Sequence, residues 1–312
     1  MSAKYIAAVV QAAPILFDLE ATLDKTADLV SQAKAKGAQL ILFPEAFISA
    51  YPRGLSFGTV VGSRDPAGRL LWQRYWESSI AEGDAACLRL GQMAKDAGAF
   101  LVIGVNEKDT VSGTLYCSMF YFGPNGDFLG KHRKIKPTAQ ERVIWGEDNG
   151  STLSSFDTSI GKMGGLICWE NYMPMARMAM YQQGIQVYLA PTADNRDGWQ
   201  QTMQHIALEG RCFVLGCNQY VTKSMYPTDL PGFQALENQP EVMATGGSII
   251  VDPLGKVLAE PLWGEEGILT AEIDLDQVIQ SKLDFDPIGH YNRSDIFDFK
   301  VNNQPPIKVI DQ

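Results

Sequence analysis

Short apolar runs recur along the chain with helix-period segments between them. IAAVVQA (6–12) and AQLILF (38–43) read as buried strands, and TLDKTADLVSQAKAKG (22–37) between them as a helix. CLRLGQMAKDAG (87–98) followed by AFLVIGV (99–105) repeats the alternation, which is that of an α/β protein. After Gly98 the pattern changes. AFLVIGVNE, GTLYCSMFYFG and GDFLGKHRKI follow one another with SG and PNG turn signals and no room for a helix, so antiparallel hairpins are mixed in. The second half repeats the habit: strand KMGGLIC, helix MPMARMAMYQQG, strand VYLAP, helix WQQTMQHIALEG, strand RCFVLGCNQYV, then SIIVDPLGKVLAEP and GILTAEIDL.

No linker interrupts this pattern, so one domain is expected over 1–283, with a tail at 284–312. Two segments break the periodicity. Residues 222–245 hold three prolines and few periodic apolar positions, which fits a lid, a subunit contact or a plain surface insertion. The tail, FDPIGHYNRSDIFDF, is rich in aromatics and turn formers and must dock on its own domain or on a partner.

Composition narrows the function classes. The chain has 312 residues, 46% hydrophobic and 20% charged, enough for a large core. A net charge of −10 works against a nucleic-acid partner, which needs a basic surface to displace counterions. Five irregularly spaced cysteines are too few for a disulfide framework and fit a reducing cytosol. The one signal-like stretch, KYIAAVVQAAPILF, is broken by Gln11 and Pro14 and reads as a first strand. No apolar segment is long enough to span a membrane, so a cytoplasmic protein without a membrane partner is expected.

Among the cysteines, Cys168 stands apart. It closes MGGLIC and precedes a helix starting near Tyr172 to Pro174, where unpaired N–H groups favour a thiolate. Gly164 and Gly165 beside it allow close approach of a backbone or ligand. Cys212 and Cys217 fall on opposite faces of a strand and read as core, and Cys87 and Cys117 have no motif around them. None of the three histidines makes a base: His205 is mid-helix, His290 lies in the tail, and His132 belongs to a basic run whose default reading is a solvated strand end. Glu45, in LILFPEAF, is the better base, because a carboxylate emerging into an apolar setting has a raised pKa. Lys134 shares a strand face with His132 and Lys136 while Arg133 points away, so a cation can reach the thiol and stabilise developing charge. Glu141, seven residues on, can hold that lysine.

These residues together resemble the nitrilase superfamily and, within it, the true nitrilase branch. LILFPEAF is similar to the segment with the catalytic glutamate (Glu45), GKHRKIKPTAQERVIWGE to that with the catalytic lysine (Lys134), and GGLICWENYMP to that with the catalytic cysteine (Cys168). SAYPRGLSFG, the stretch from LAPTAD to LGCNQ, and DPIGHYNR extend the resemblance over almost the whole chain. Cys168-Trp169-Glu170 matches nitrilases, whereas amidases of the superfamily more often carry aspartate two residues beyond the cysteine.

The resemblance implies an α-β-β-α sandwich of two mixed sheets with outer helices. It implies hydrolysis of a nitrile to the acid and ammonia through a thioimidate, with Glu45, Lys134, Cys168 and Glu141 at the reaction and Tyr51, Trp145 and Trp169 walling an arylacetonitrile or aliphatic-nitrile pocket. It implies no cofactor and no metal, and self-association to a dimer and a larger spiral. An amidase or carbamoyl-type hydrolase, and a catalytically silent scaffold, are the alternatives. One departure is visible: Asp148 and Asn149 stand where the family has glycine and aspartate, so Asp148 is expected to take up a left-handed conformation with some strain.

Overall fold

The computed structural model describes residues 4–304. In chain order the elements are β1 (Lys4–Gln11), α1 (Leu19–Ala35), β2 (Ala38–Leu42), β3 (Thr59–Val60), β4 (Ser63–Arg64), α2 (Pro66–Glu77), α3 (Ala85–Ala97), β5 (Phe100–Lys108), β6 (Leu115–Phe122) and β7 (Phe128–Arg133). The second half holds β8 (Phe156–Thr158), β9 (Gly161–Gly165), α4 (Pro174–Gln182), β10 (Val187–Pro191), α5 (Trp199–Gly210), β11 (Phe213–Cys217), β12 (Tyr220–Thr222), β13 (Val242–Val251), β14 (Val257–Trp263), β15 (Gly267–Asp274) and α6 (Asp276–Ser281).

Two sheets stack face to face. One has the order β15-β1-β2-β5-β6-β7, the other β12-β13-β11-β10-β9-β8 with β14 on β13. In each, parallel strands joined by helices form the middle (β1-β2-β5 and β9-β10-β11), and hairpins extend the edge. The expected α-β-β-α sandwich is therefore present. Its three apolar layers follow from the strand period: alternate residues of β1 go to opposite sides, with Ala7 and Val9 between the sheets and Ala8 and Val10 under α1 and α3. A third layer lies under α4 and α5. The last strand, β15, returns to pair with β1 from Lys4↔Asp274 to Gln11↔Gly267, so the signal-like stretch is an internal strand.

The irregular segment at 222–245 is not a plain surface insertion. Tyr226, Leu230 and Leu236 are buried in the layer between the sheets, and the Tyr226 hydroxyl donates to Arg53 O at 3.0 Å. The tail packs Ile288 and Phe299 against the layer under α4 and α5, while Tyr291, Ile296 and Phe297 are exposed. Residues 305–312 of the tail lie outside the described part. Among the described residues no helix is long and apolar enough to cross a membrane.

Candidate active site

The site forms where the chain leaves the carboxyl ends of β2, β7, β9 and β10, the usual place for ligands in sheets of this kind. After β2 the segment 43–46 crosses β5 at Gly104. A Cβ there would lie 2.1 Å from Pro44 O and 2.7 Å from Glu45 Cα, so only glycine lets the two backbones meet. This contact turns the Glu45 side chain into the space between the sheets, fully buried. Its main-chain oxygen is held by Gln219 Nε2 at 2.7 Å. Gly165 does the same for β9: a Cβ would lie 1.8 Å from Leu189 O.

Lys134 follows the last residue of β7, and its backbone N–H still bonds Cys117 O at 2.8 Å. The Nζ donates to Glu45 Oε1 at 2.6 Å and to Glu141 Oε2 at 2.7 Å, all three groups being buried. Glu141 sits in the short 3-10 turn Ala139–Val143 and also accepts from Thr138 N (2.6 Å) and the Tyr51 hydroxyl (2.8 Å). Glu45 Oε2 accepts from Ala193 N at 2.9 Å. Burial pushes the Glu45 carboxyl up; Lys134 opposes this, the Glu141 charge adds to it, and the net direction is upward. The Lys134 ammonium is held well above its ordinary value: burial works against it, but Glu45 and the other anionic groups prevail.

Cys168 opens the short 3-10 turn Cys168–Tyr172 and has φ +52°, a conformation costly for a residue with a Cβ and concentrated at functional sites. It belongs to the same charge cluster as Glu45 and Lys134. The expectation of a thiolate is corrected: burial and then the Glu45 charge push this thiol up, and Lys134, shared between two carboxylates, only partly offsets them. The resting group is a neutral thiol beside a carboxylate of raised basicity.

A cleft of about 90 Å³ reaches Cys168 and is lined by Tyr51, Glu141, Trp169 and Arg196 among others. Tyr51, Arg53, Thr138, Glu141 and Arg196 also line a larger groove of about 500 Å³, where Leu55, Phe57, Val143 and Ile144 supply apolar surface. Trp169 is fixed by a bond from Nε1 to Asp194 Oδ2 (2.7 Å), with the Arg196 guanidinium 4.2 Å above its ring. Trp145 lies elsewhere than expected. It is buried edge-on behind Tyr51 (5.8 Å between centroids), with Lys134 Nζ 5.7 Å from its ring centre, so it backs the cluster and does not line the cleft.

The solvated reading of the basic run is also corrected. His132 is buried against Glu170, and Lys131 and Arg133 turn to the other side onto buried Glu107, at 2.6 and 2.9 Å for Arg133; only Lys136 is at the surface, paired with Glu147. The inward and outward alternation itself is as expected. Asp148 is not left-handed. It accepts from Gly150 N (2.9 Å) and Thr152 Oγ1 (3.1 Å), and Gly150 takes the positive φ of +87°. Cys212, just before β11, and Cys217, its last residue, are buried in different apolar layers, as expected. Sequence reasoning missed Ala193, Gln219 and Cys117. Ala193 acts through its main-chain N–H, which no side-chain pattern marks, Gln219 through a side-chain amide that holds the Glu45 main-chain oxygen from a distant strand end, and Cys117 reaches Glu45 Oε1 at 3.5 Å only because β6 lies beside the site. Among the described residues no group of three or more His, Cys, Asp or Glu is placed to hold a metal ion.

Comparison with known proteins agrees with this geometry. The carbon-nitrogen hydrolase family matches residues 6–283. An aliphatic nitrilase of Sinorhizobium fredii is 49% identical over 307 residues, covering 98% of each chain. An arylacetonitrilase of Trametes versicolor is 47% identical over 312 residues, covering 96% of this chain and 97% of the other. Among solved structures, Nit3 of Saccharomyces cerevisiae, a member of branch 10 of the nitrilase superfamily, superposes with a TM-score of 0.73 at 23% identity, covering 93% and 97% of the two chains. With the sandwich, the buried Glu45-Lys134-Glu141 cluster and Cys168 at the turn after β9 in place, these matches mean that the chain belongs to the carbon-nitrogen hydrolase family, in the nitrilase branch of the nitrilase superfamily.

Proposed function

We propose that the protein hydrolyses organic nitriles to the carboxylic acid and ammonia, with Cys168 as nucleophile and Glu45 as general base. The observation that carries this is Cys168 at the cleft beside the buried Glu45–Lys134–Glu141 cluster, in a chain nearly half identical to an aliphatic nitrilase and an arylacetonitrilase.

Glu45 takes the thiol proton as sulfur adds to the nitrile carbon, and the nitrile nitrogen gains a proton to give a thioimidate. A water molecule, deprotonated by Glu45, adds to that carbon. The C–N bond then breaks, ammonia leaves with the proton returned to nitrogen, and a thioester remains. A second water cleaves the thioester to the acid and the free thiol. If the C–S bond breaks instead at the tetrahedral stage, an amide is released. Lys134 and the backbone N–H of Trp169 stabilise the charge that builds first on nitrogen and then on oxygen. Glu141, fixed by Tyr51, orients Lys134 and faces the cleft. Every step is an addition, elimination or proton transfer of a kind that a thiol, a carboxylate and an ammonium can carry.

The groove beyond the cleft, with its apolar side chains and its volume of about 500 Å³, suits an arylacetonitrile or a medium aliphatic nitrile. Residues 1–283 form the catalytic domain. The tail at 284–312, whose Tyr291, Ile296 and Phe297 are exposed, is a self-association contact for a dimer and a larger spiral. Five unbridged cysteines fit a cytoplasmic setting.

The test is ammonia release from a panel of arylacetonitriles, aromatic and aliphatic nitriles and their amides, with Cys168→Ala protein as the blank. Nitrile turnover that disappears in the variant is the expected result. Turnover of the amides alone would overturn the nitrile assignment.

A further inference from the structure

Glu170 lies two residues past the nucleophile and is 1% exposed, yet the chemistry above does not use it. Its two oxygens are fully engaged. Oε1 accepts from Ile135 N at 2.6 Å and Oε2 from Ile167 N at 2.6 Å, while His132 Nε2 lies 3.2 and 3.0 Å from the pair. Ile135 is the residue after Lys134, and Ile167 is the residue before Cys168. One carboxylate therefore ties together the two backbones that carry the ammonium and the thiol, at the ends of strands from different sheets.

The histidine ring is held at both nitrogens. Its Nδ1 faces Thr152 O at 3.3 Å, a carbonyl that can only accept, and its Nε2 faces a carboxylate whose oxygens already accept backbone N–H groups. His132 and Glu170 therefore form a buried hydrogen-bonded pair, 1% and 0% exposed at the side chains; burial disfavours a proton on the imidazole, Glu170 favours one, and the net direction is upward. A buried, fully hydrogen-bonded pair of this kind resists displacement, because loss of either partner leaves buried polar groups of the other unsatisfied.

We propose that the Glu170–His132 pair is a positioning device that sets the spacing between Lys134 and Cys168, and so directs the tetrahedral intermediate to expel ammonia in preference to the thiol. This rests on the nitrile-hydrolysing assignment above. Which bond breaks depends on which leaving group is protonated or stabilised by the buried cluster, and misplacement of the ammonium relative to the sulfur, where about 1 Å is worth about a hundredfold in rate, changes that choice.

Glu170→Gln tests it. The glutamine amide would turn a donor toward Ile135 N or Ile167 N, so one of the two ties is lost whichever way it sits. The expected result is a fall in kcat of about tenfold to a hundredfold with KM within about threefold of the parent, and a several-fold larger amide share of the product. Glu170→Asp, one methylene shorter but with both acceptors kept, is expected to lie between the two. If Glu170→Gln fails to fold, His132→Gln carries the test, since it keeps the carboxylate and a neutral donor; the same rise in amide share is expected. A Glu107→Gln protein, altered on the other side of the same basic run, should show the parent's product ratio. An unchanged amide share in folded Glu170→Gln or His132→Gln protein would overturn the proposal.

Alkylation of Cys168 by iodoacetamide keeps the test independent of the substrate. The rate should fall in Glu170→Gln, because the thiol no longer lines up with its base, and a parent-like rate would also count against the positioning role. Failure of the parent enzyme to turn over any nitrile would instead strike the assignment of function, and the alkylation comparison would still decide the positioning.

Discussion

The end of β7 feeds two ionic clusters on opposite faces, and they behave in opposite ways. On one side Lys131 and Arg133 converge on Glu107; on the other Lys134 is shared by Glu45 and Glu141. Glu107 and Glu45 are both buried, at 1% and 0% exposure, so burial alone would push both carboxyls up. It does prevail at Glu45, where a single ammonium faces two carboxylates. At Glu107 burial is overcome by Arg133 and Lys131, and the carboxyl is held below its ordinary range. The count of partners decides the direction. A carboxylate with two cations is a structural anchor, while one of two carboxylates sharing a cation is left able to take a proton.

The largest effects are expected in the cluster with the surplus carboxylate. Cys168→Ala should lower kcat by about 10⁴-fold or more in an ammonia-release assay, since the covalent path is lost. Glu45→Gln should cost about 10²- to 10⁴-fold, the range for a general base. Lys134→Met should cost about 10²- to 10³-fold, as for loss of a charge-stabilising donor, and a parent-like rate would remove the lysine from the mechanism. Gly104→Ala, which drives a Cβ into the Pro44–Glu45 backbone, should lower stability to denaturant by about 1–3 kcal/mol and reduce activity with it.

Acidification should separate the clusters in a second way. Because the Glu45 carboxyl titrates above its ordinary value of 4.5, the base is protonated first, and the acid limb of kcat/KM should lie above pH 4.5. Glu107 has the opposite sign. Its folded value is lowered, so its contribution to stability is complete above 4.5 and is lost as pH falls through the lower folded value. A pH series of kcat/KM beside one of unfolding free energy should show activity lost while the fold persists, and coincident losses would contradict the comparison. Glu107→Gln should then reduce stability by about 1.5–3 kcal/mol without changing the rate per folded molecule. The smallest effect belongs to Lys136→Gln at the exposed pair with Glu147, where less than about 1 kcal/mol and no change in rate are expected.

Much of this was legible in the chain. The two-residue period of β1 and β7 marks the strand faces; Glu45 and Cys168 can be named from their places at strand ends, Lys134 from its strand face, and Glu141 as a carboxylate seven residues beyond it. What could not be read was how charges would pair across the sandwich. The basic run at 131–136 is locally the sequence of a solvated strand end, and only the approach of Glu107 from β5 and Glu170 from the turn after β9 makes it buried. Position beside a helix points to a thiolate at Cys168, yet burial, which a linear pattern does not show, pushes the thiol up, and the Glu45 and Glu141 charges add to it against Lys134. Asp148 in a glycine's place predicts a left-handed residue there; Gly150, two positions on, supplies the positive φ instead. Trp145 stands in the segment that carries Lys134, which points to a pocket wall, but its ring packs behind Tyr51 and Lys134.

The most direct test of the central claim is the intact mass of the enzyme quenched during turnover of a nitrile it hydrolyses, followed by mapping of the modified peptide. A covalent thioimidate or thioester on Cys168, with the other four cysteines unmodified and no adduct in Cys168→Ala protein, is the predicted result. Adduct on a different cysteine, or one that still forms when Cys168 is gone, would contradict the account.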